Sequence, residues 1–119
     1  MDLLEQTKQL SEHLEMLKQT FEKNQPPEDR KDKAFFLMVK EKTNPIYEQL
    51  AVWEEVALAY VKDRKINVHP HQVSSTRENM ELVMMHSFYV DVRRKRFMEL
   101  HNSIQYIFDQ IIRELSLNK

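Results

Sequence analysis

The sequence predicts an all-α fold, an up-down four-helix bundle whose second helix is long and kinked or broken near Pro45. Three observations predict it. Every stretch between the punctuating prolines, Pro26, Pro27, Pro45 and Pro70, reads at helical period, and none sustains the alternation of a half-buried strand. The chain has no glycine, so the usual glycine hairpin turns are missing. The connections between amphipathic stretches are short, which sets sequential helices antiparallel. The 119 residues show no repeat at solenoid spacing, and a single domain over 1–119 is expected.

The first helix is expected over residues 2–23. Leu3, Leu10, Leu14, Leu17 and Phe21 form one stripe, Thr7 fills the gap in it, and Glu and Lys occupy the other face. Asp2 is placed to cap its start. Asn24-Gln25-Pro26-Pro27 ends it, because proline removes backbone donors and forces the preceding residue extended.

The second stretch covers 30–43. Phe35, Phe36, Leu37, Met38 and Val39 are apolar nearly all round, which predicts a helix enclosed on several sides. Asn44-Pro45 reads as an N-cap followed by proline at a first helical position, or as a kink. Beyond it Ile46, Leu50, Trp53, Val56, Ala57, Tyr60 and Val61 fall within about 140° of a helical wheel. The helix should run to Lys65, with Lys62, Arg64 and Lys65 in a last turn that favours cations.

The third helix follows Asn67-Val68-His69-Pro70 and covers 71–89, with a core stripe of Val73, Met80, Val83, Met84 and Phe88. The fourth covers 92–116, with Asp91 as its expected cap. Its stripe is Phe97, Leu100, Ile104, Ile107, Phe108, Ile111 and Leu115.

Composition narrows the function classes. Without glycine there is no dinucleotide fingerprint, P-loop, nucleophile elbow or standard EF-hand loop. Without cysteine there is no thiol nucleophile, thiolate metal site or disulfide. Hydrophobic residues make up 41% and charged residues 31%, a globular balance. Eighteen basic and 19 acidic residues leave a net charge of −1, with no global field for nucleic acid or an anionic membrane. The longest apolar run, 34–39, is far short of the roughly 20 residues that span a bilayer. The start of the chain lacks the basic and apolar segments of a signal peptide, so a cytoplasmic protein is expected.

Phe35-Phe36, Trp53 at the head of an amphipathic stretch ending in basic residues, Val68-His69, Asn79, Ser87 and Lys95-Arg96-Phe97 occur in that order over residues 35–115. In this pattern the chain resembles the YppE-like family of small bacterial helical proteins. The resemblance implies a helical bundle and a bacterial cytosolic origin, and it carries no functional residues across. The chain departs from the family pattern in placing its proline at position 45, and in having Asp91 and Arg93 where histidines are expected near the last turn.

No catalytic constellation stands out. His13, His86 and His101 are preceded three residues earlier by Leu10, Val83 and Met98, so the Glu-x-x-His motifs of di-iron bundles are absent. His-Glu-x-x-His is absent too. His69 and His71 flank Pro70 and could share a metal, but no third ligand stands at a fixed spacing, and the plainer reading is a polar loop beside a helix start. Neither an enzyme, a metal site nor a cofactor is expected.

Two surface features remain. Leu82, Met85 and Tyr89 lie about 140–200° around the helix from Met80, opposite the core stripe. Such a second stripe is either a docking face for a partner protein or a second copy, or core covered by residues 35–39. Arg93-Arg94-Lys95-Arg96 is the densest charge run, and at a helix N-terminus it opposes the dipole. The favoured reading pairs it with Glu28, Asp29 and Asp32 of the first connection. The expected function is a non-catalytic protein-interaction module. The alternative is a bundle that binds nucleic acid or another anion through the basic corner 93–96.

Overall fold

The computed structural model describes residues 1–117; Asn118 and Lys119, inside the expected domain 1–119, lie outside the described residues. Four helices follow in order: α1 Leu3–Lys23, α2 Lys33–Lys62, α3 Pro70–Tyr89 and α4 Arg94–Leu117. Each begins or ends for a local reason. Asp2 caps α1 by accepting the Glu5 N–H at 2.9 Å, as the sequence predicts. Asp32 caps α2 by accepting the Phe35 N–H at 3.1 Å. His69 caps α3 in a reciprocal box: its side chain accepts from the first turn, and Gln72 accepts the His69 N–H at 3.0 Å.

The second helix is unbroken. It runs through Pro45, so the reading of Asn44 as a fresh N-cap is corrected. Pro45 cannot donate to the carbonyl of Glu41. Both residues lie on the exposed face of the helix, away from the core. The helix also ends earlier than expected, at Lys62. Arg64 takes the left-handed region at φ 60°, and Lys65 N–H bonds back to the Tyr60 carbonyl at 2.9 Å. In a chain without glycine a side-chain-bearing residue must close such turns, and Val90 does so after α3 at φ 48°.

Cross-contacts set the direction of each helix. Thr7 faces Trp53 and Gln9 faces Gln49. Glu54 meets Arg77, while Phe35 meets Tyr89. Phe21 stacks on Phe97, while Ser11 meets Gln105. In each case one helix ascends as the other descends, which gives the up-down order. The cross-section is a rhombus. α1 and α3 each pack against all three other helices, whereas the backbones of α2 and α4 stay apart.

Trp53 closes that gap. It is fully buried and lies edge-on to Phe108 of α4, with ring centres 5.5 Å apart. Its indole N–H donates to the Thr7 hydroxyl at 2.9 Å, and that hydroxyl donates in turn to the Leu3 carbonyl at 2.7 Å. A threonine in the gap of the α1 stripe thus satisfies the one polar group of the largest core side chain. The stripes expected from sequence form the core, joined by Leu4, Ile66 and Val68, which the periodicity did not single out. No described helix is long and apolar enough to cross a membrane.

Burial, and secondarily the charge of Glu81, raises the Tyr47 phenol above its usual range. The fold therefore holds this proton more tightly than the unfolded chain does. Its contribution is complete below the ordinary tyrosine value and is lost as pH rises from there through the raised one. Alkaline unfolding followed by circular dichroism from pH 9 to 11.5 should be less steep for Tyr47→Phe than for the natural chain. Superimposable curves would count against this role.

Candidate functional site

The end of the bundle formed by the last turns of α1 and α3 and the first turns of α2 and α4 gathers most of the unusual surface. In the first turns of α2 one face packs inward, with Phe35 against Tyr89 at the end of α3, and the other face turns outward. Val39 is buried, and Phe35 and Met38 are half-buried. Phe36 and Leu37, expected to be enclosed, are instead 53% and 51% exposed.

The second stripe of α3 divides. Tyr89 and Met85 are half-buried against the core, and Phe35 of α2 lies edge-on to Tyr89 with ring centres 5.1 Å apart. Leu82 remains exposed. Of the two sequence readings, cover by α2 describes Tyr89, and an open face describes Leu82. The largest apolar exposure at this end is the Phe36–Leu37 pair, which the sequence reading placed in the interior.

The basic run also differs from its expected pairing. Arg94 reaches Glu22 of α1 at 3.3 Å, and Arg96 reaches Glu99 of its own helix at 3.8 Å. Glu28, Asp29 and Asp32 are not their partners. The physical reason is competition from backbone donors: Asp29 accepts the Lys31 N–H at 2.9 Å, and Asp32 is spent capping α2. Arg93 and Lys95 are exposed and make no ion pair among the described residues.

Asp91 is not the cap of α4, which starts three residues later. Its carboxylate instead binds His86 at 2.7 Å and Arg30 of the first connection at 3.1 Å, tying both connections at this end together. Arg93 stands at the cap position, its carbonyl accepting the Phe97 N–H at 3.1 Å. An arginine side chain has no acceptor, so it cannot satisfy the open amides of the first turn. The exposed cations of 93–96 thus surround an uncapped helix N-terminus.

The histidines are dispersed. Nδ1 of His69 accepts the His71 N–H at 3.0 Å, so that lone pair serves the α3 cap. Among the described residues, no three His, Cys, Asp or Glu side chains come together as a metal site would require. His101 is buried, with Nε2 unpartnered among the described residues and Nδ1 3.4 Å from Asn102 Oδ1.

A concavity of about 610 Å³ lies between α1 and α2, with Leu10, Pro45 and Val52 in its walls. Gln6, Gln9 and Gln49 also line it. Gln49 donates to Gln9 at 3.1 Å and Gln6 to the Met1 carbonyl at 3.0 Å. The carbonyl oxygens of Gln6 and Gln49 are buried and have no donor among the described residues. Periodicity alone did not reveal this groove, because its polar residues fall on the helix borders that a wheel assigns to solvent.

Known proteins share this architecture. The chain is similar to the uncharacterized protein YppE of Bacillus subtilis (strain 168), with 28% identity over 117 residues and 94% of each chain covered. Its fold matches the crystal structure of YppE with a TM-score of 0.81 at 24% identity, covering 98% of this chain and 94% of that one. The solution NMR structure of YppE matches with a TM-score of 0.75 at 25% identity over the same shares. Residues 7–115 match the family model described as a bacterial domain of unknown function, DUF1798. With nearly the whole helical core inside that match, the chain belongs to the DUF1798 family.

Proposed function

We propose that this chain is a non-catalytic interaction module that docks an acidic, amphipathic segment of a partner protein at the exposed Phe36–Leu37 face of α2. One observation carries the reading. Phe36 and Leu37 stand half-exposed on the outer face of α2, at the same end of the bundle as Arg93 and Lys95, cations that make no ion pair among the described residues. An apolar patch at an end that also carries free positive charge fits a segment with large apolar residues on one face and carboxylates along its length. Self-association fits less well, since a two-fold contact places the same basic corner at the interface twice.

The test is selection of binding peptides from a random displayed library. Enriched sequences should combine Asp or Glu with large apolar residues at helical spacing. The variant Phe36→Lys/Leu37→Lys should lose at least about tenfold in affinity for them, while its stability changes by about 0.5 kcal/mol or less, as for other surface positions. Enrichment without acidic residues, or undiminished binding by the double variant, would overturn the reading.

The second reading, anion binding at the basic corner, is favoured by the uncapped N-terminus of α4. It predicts that a DNA duplex binds with an affinity falling steeply with salt, and that Arg93→Glu/Lys95→Glu abolishes the binding.

A further inference from the structure

A cavity of about 440 Å³ lies between the C-terminal half of α1, the N-terminal half of α2 and the end of α3. We propose that it binds an amphipathic organic anion, a hydrocarbon body with an anionic head. Its volume is that of an ordinary small-molecule site. Leu17, Ile46 and Phe88, all buried, form an apolar floor, and the half-exposed Met16 extends it at the edge. The site is distinct from the proposed docking face: Phe36 and Leu37 stand about 120° and 140° around α2 from Lys42 in its lining.

Every charged side chain in the lining is a cation: Lys23 of α1 and Lys42 of α2, both exposed. Neither makes an ion pair among the described residues. A lysine on a helix surface commonly meets a carboxylate three or four residues away. Lys42 has Met38, Val39, Pro45 and Ile46 at those positions, and Lys23 has Gln19 and Thr20 before it. Glu22, next to Lys23, is bonded to Arg94 at 3.3 Å. Glu41, next to Lys42, stands about 100° further round the helix. The dipole at the end of α1 favours a cation at Lys23, but Lys42 is interior to α2 and has no such support. The two other polar groups set no sign. The Thr20 hydroxyl donates to the Met16 carbonyl at 2.9 Å and keeps only acceptor capacity. The Asn24 amide offers a donor and an acceptor, with one long bond of 3.5 Å to the Ser87 carbonyl. Two ammonium groups beside an apolar floor select negative charge joined to hydrocarbon. The cavity is a recess between helices, so it takes a single molecule rather than a membrane face.

The experiment titrates the chain with octanoate, 1-octanol and octylammonium, three probes of one hydrocarbon length. Binding is read from the methyl resonances of Ile46 and the ring resonances of Phe88, with those of Phe36 and Leu37 as the comparison. Octanoate should bind saturably and about tenfold more tightly than octanol, the difference expected between a charge-assisted and a neutral hydrogen bond. Octylammonium should bind most weakly. Added salt should weaken octanoate and spare octanol.

Lys23→Gln/Lys42→Gln removes both charges at exposed positions and should keep the melting temperature. It should lower the affinity for octanoate to that for octanol and leave octanol binding unchanged, which shows the apolar floor intact. Equal affinity of the natural chain for octanoate and octanol would overturn the proposal, as would octanoate binding that the double variant retains in full. Shifts confined to Phe36 and Leu37 would overturn it and place the ligand on the docking face instead. Co-sedimentation with phosphatidylglycerol vesicles, without saturable binding of octanoate, would overturn it in favour of a lipid surface.

Discussion

Trp53→Ala should lower the unfolding free energy by about 3–5 kcal/mol, the usual cost of truncating a buried tryptophan. That is a large share of the roughly 5–15 kcal/mol available to a small domain. The position justifies the upper part of the range. Trp53 is fully buried and spans the long diagonal of the rhombus, where the backbones of α2 and α4 do not approach. Neither helix can close on the vacated space without leaving α1 or α3. Its removal also takes the donor from the Thr7 hydroxyl, which keeps only its bond to the Leu3 carbonyl. Trp53→Phe, which keeps a ring against Phe108 but loses the N–H, should cost less, about 1–3 kcal/mol. Urea unfolding followed by circular dichroism measures both, since the chain has no second tryptophan for fluorescence. A loss below about 1 kcal/mol for Trp53→Ala would mean that other side chains bridge the diagonal; well-packed sites do not normally collapse so freely.

This bridge was half legible in the sequence. Period placed Trp53 and the gap-filling Thr7 on the inner faces of their helices, and short connections set those helices antiparallel. That Thr7 meets the indole depends on register between helices, which one helix's periodicity does not contain. Pro45 shows the same limit. Proline removes a hydrogen bond, but whether the helix breaks depends on the packing of the turns around it, and here Thr43 and Ile46 are buried on either side of Pro45 and the helix runs on.

The candidate site was less legible than the fold. The run Phe35–Val39 describes what a helix would gain from burial, not which of its faces neighbours cover. Phe35 meets the end of α3, whereas Phe36 and Leu37 fall on the outward face and stay open. For the basic run, the sign of the charge was plain from the residues but its partners were not. One clue was available. Asp32 stands three residues before Phe35, a capping spacing, so its carboxylate was already committed to backbone.

Phe97→Ala should cost about 3–5 kcal/mol, and its effect reaches the end of the bundle proposed for docking. Phe97 is fully buried and stacks on Phe21, with ring centres 4.1 Å apart and planes 5° from parallel. The stack joins the last turn of α1 to the first turn of α4, the turn that carries Arg94, Lys95 and Arg96. The ion pair of Arg94 with Glu22 spans the same two turns, but both side chains are largely exposed. Such a pair contributes about 0–1 kcal/mol. Glu22→Ala should therefore change the urea midpoint little, while Phe97→Ala shifts it strongly. A large loss from Glu22→Ala together with a small one from Phe97→Ala would reverse this assignment. The order matters for the proposed docking end, because the aromatic stack rather than the surface charge then holds the basic corner in place on α1. Phe97→Ala would weaken peptide binding through lost stability, and that loss should shrink in a stabilising osmolyte such as sucrose, which favours burial. The loss from Phe36→Lys/Leu37→Lys should persist in the same buffer, because in the proposed docking those exposed side chains meet the partner directly.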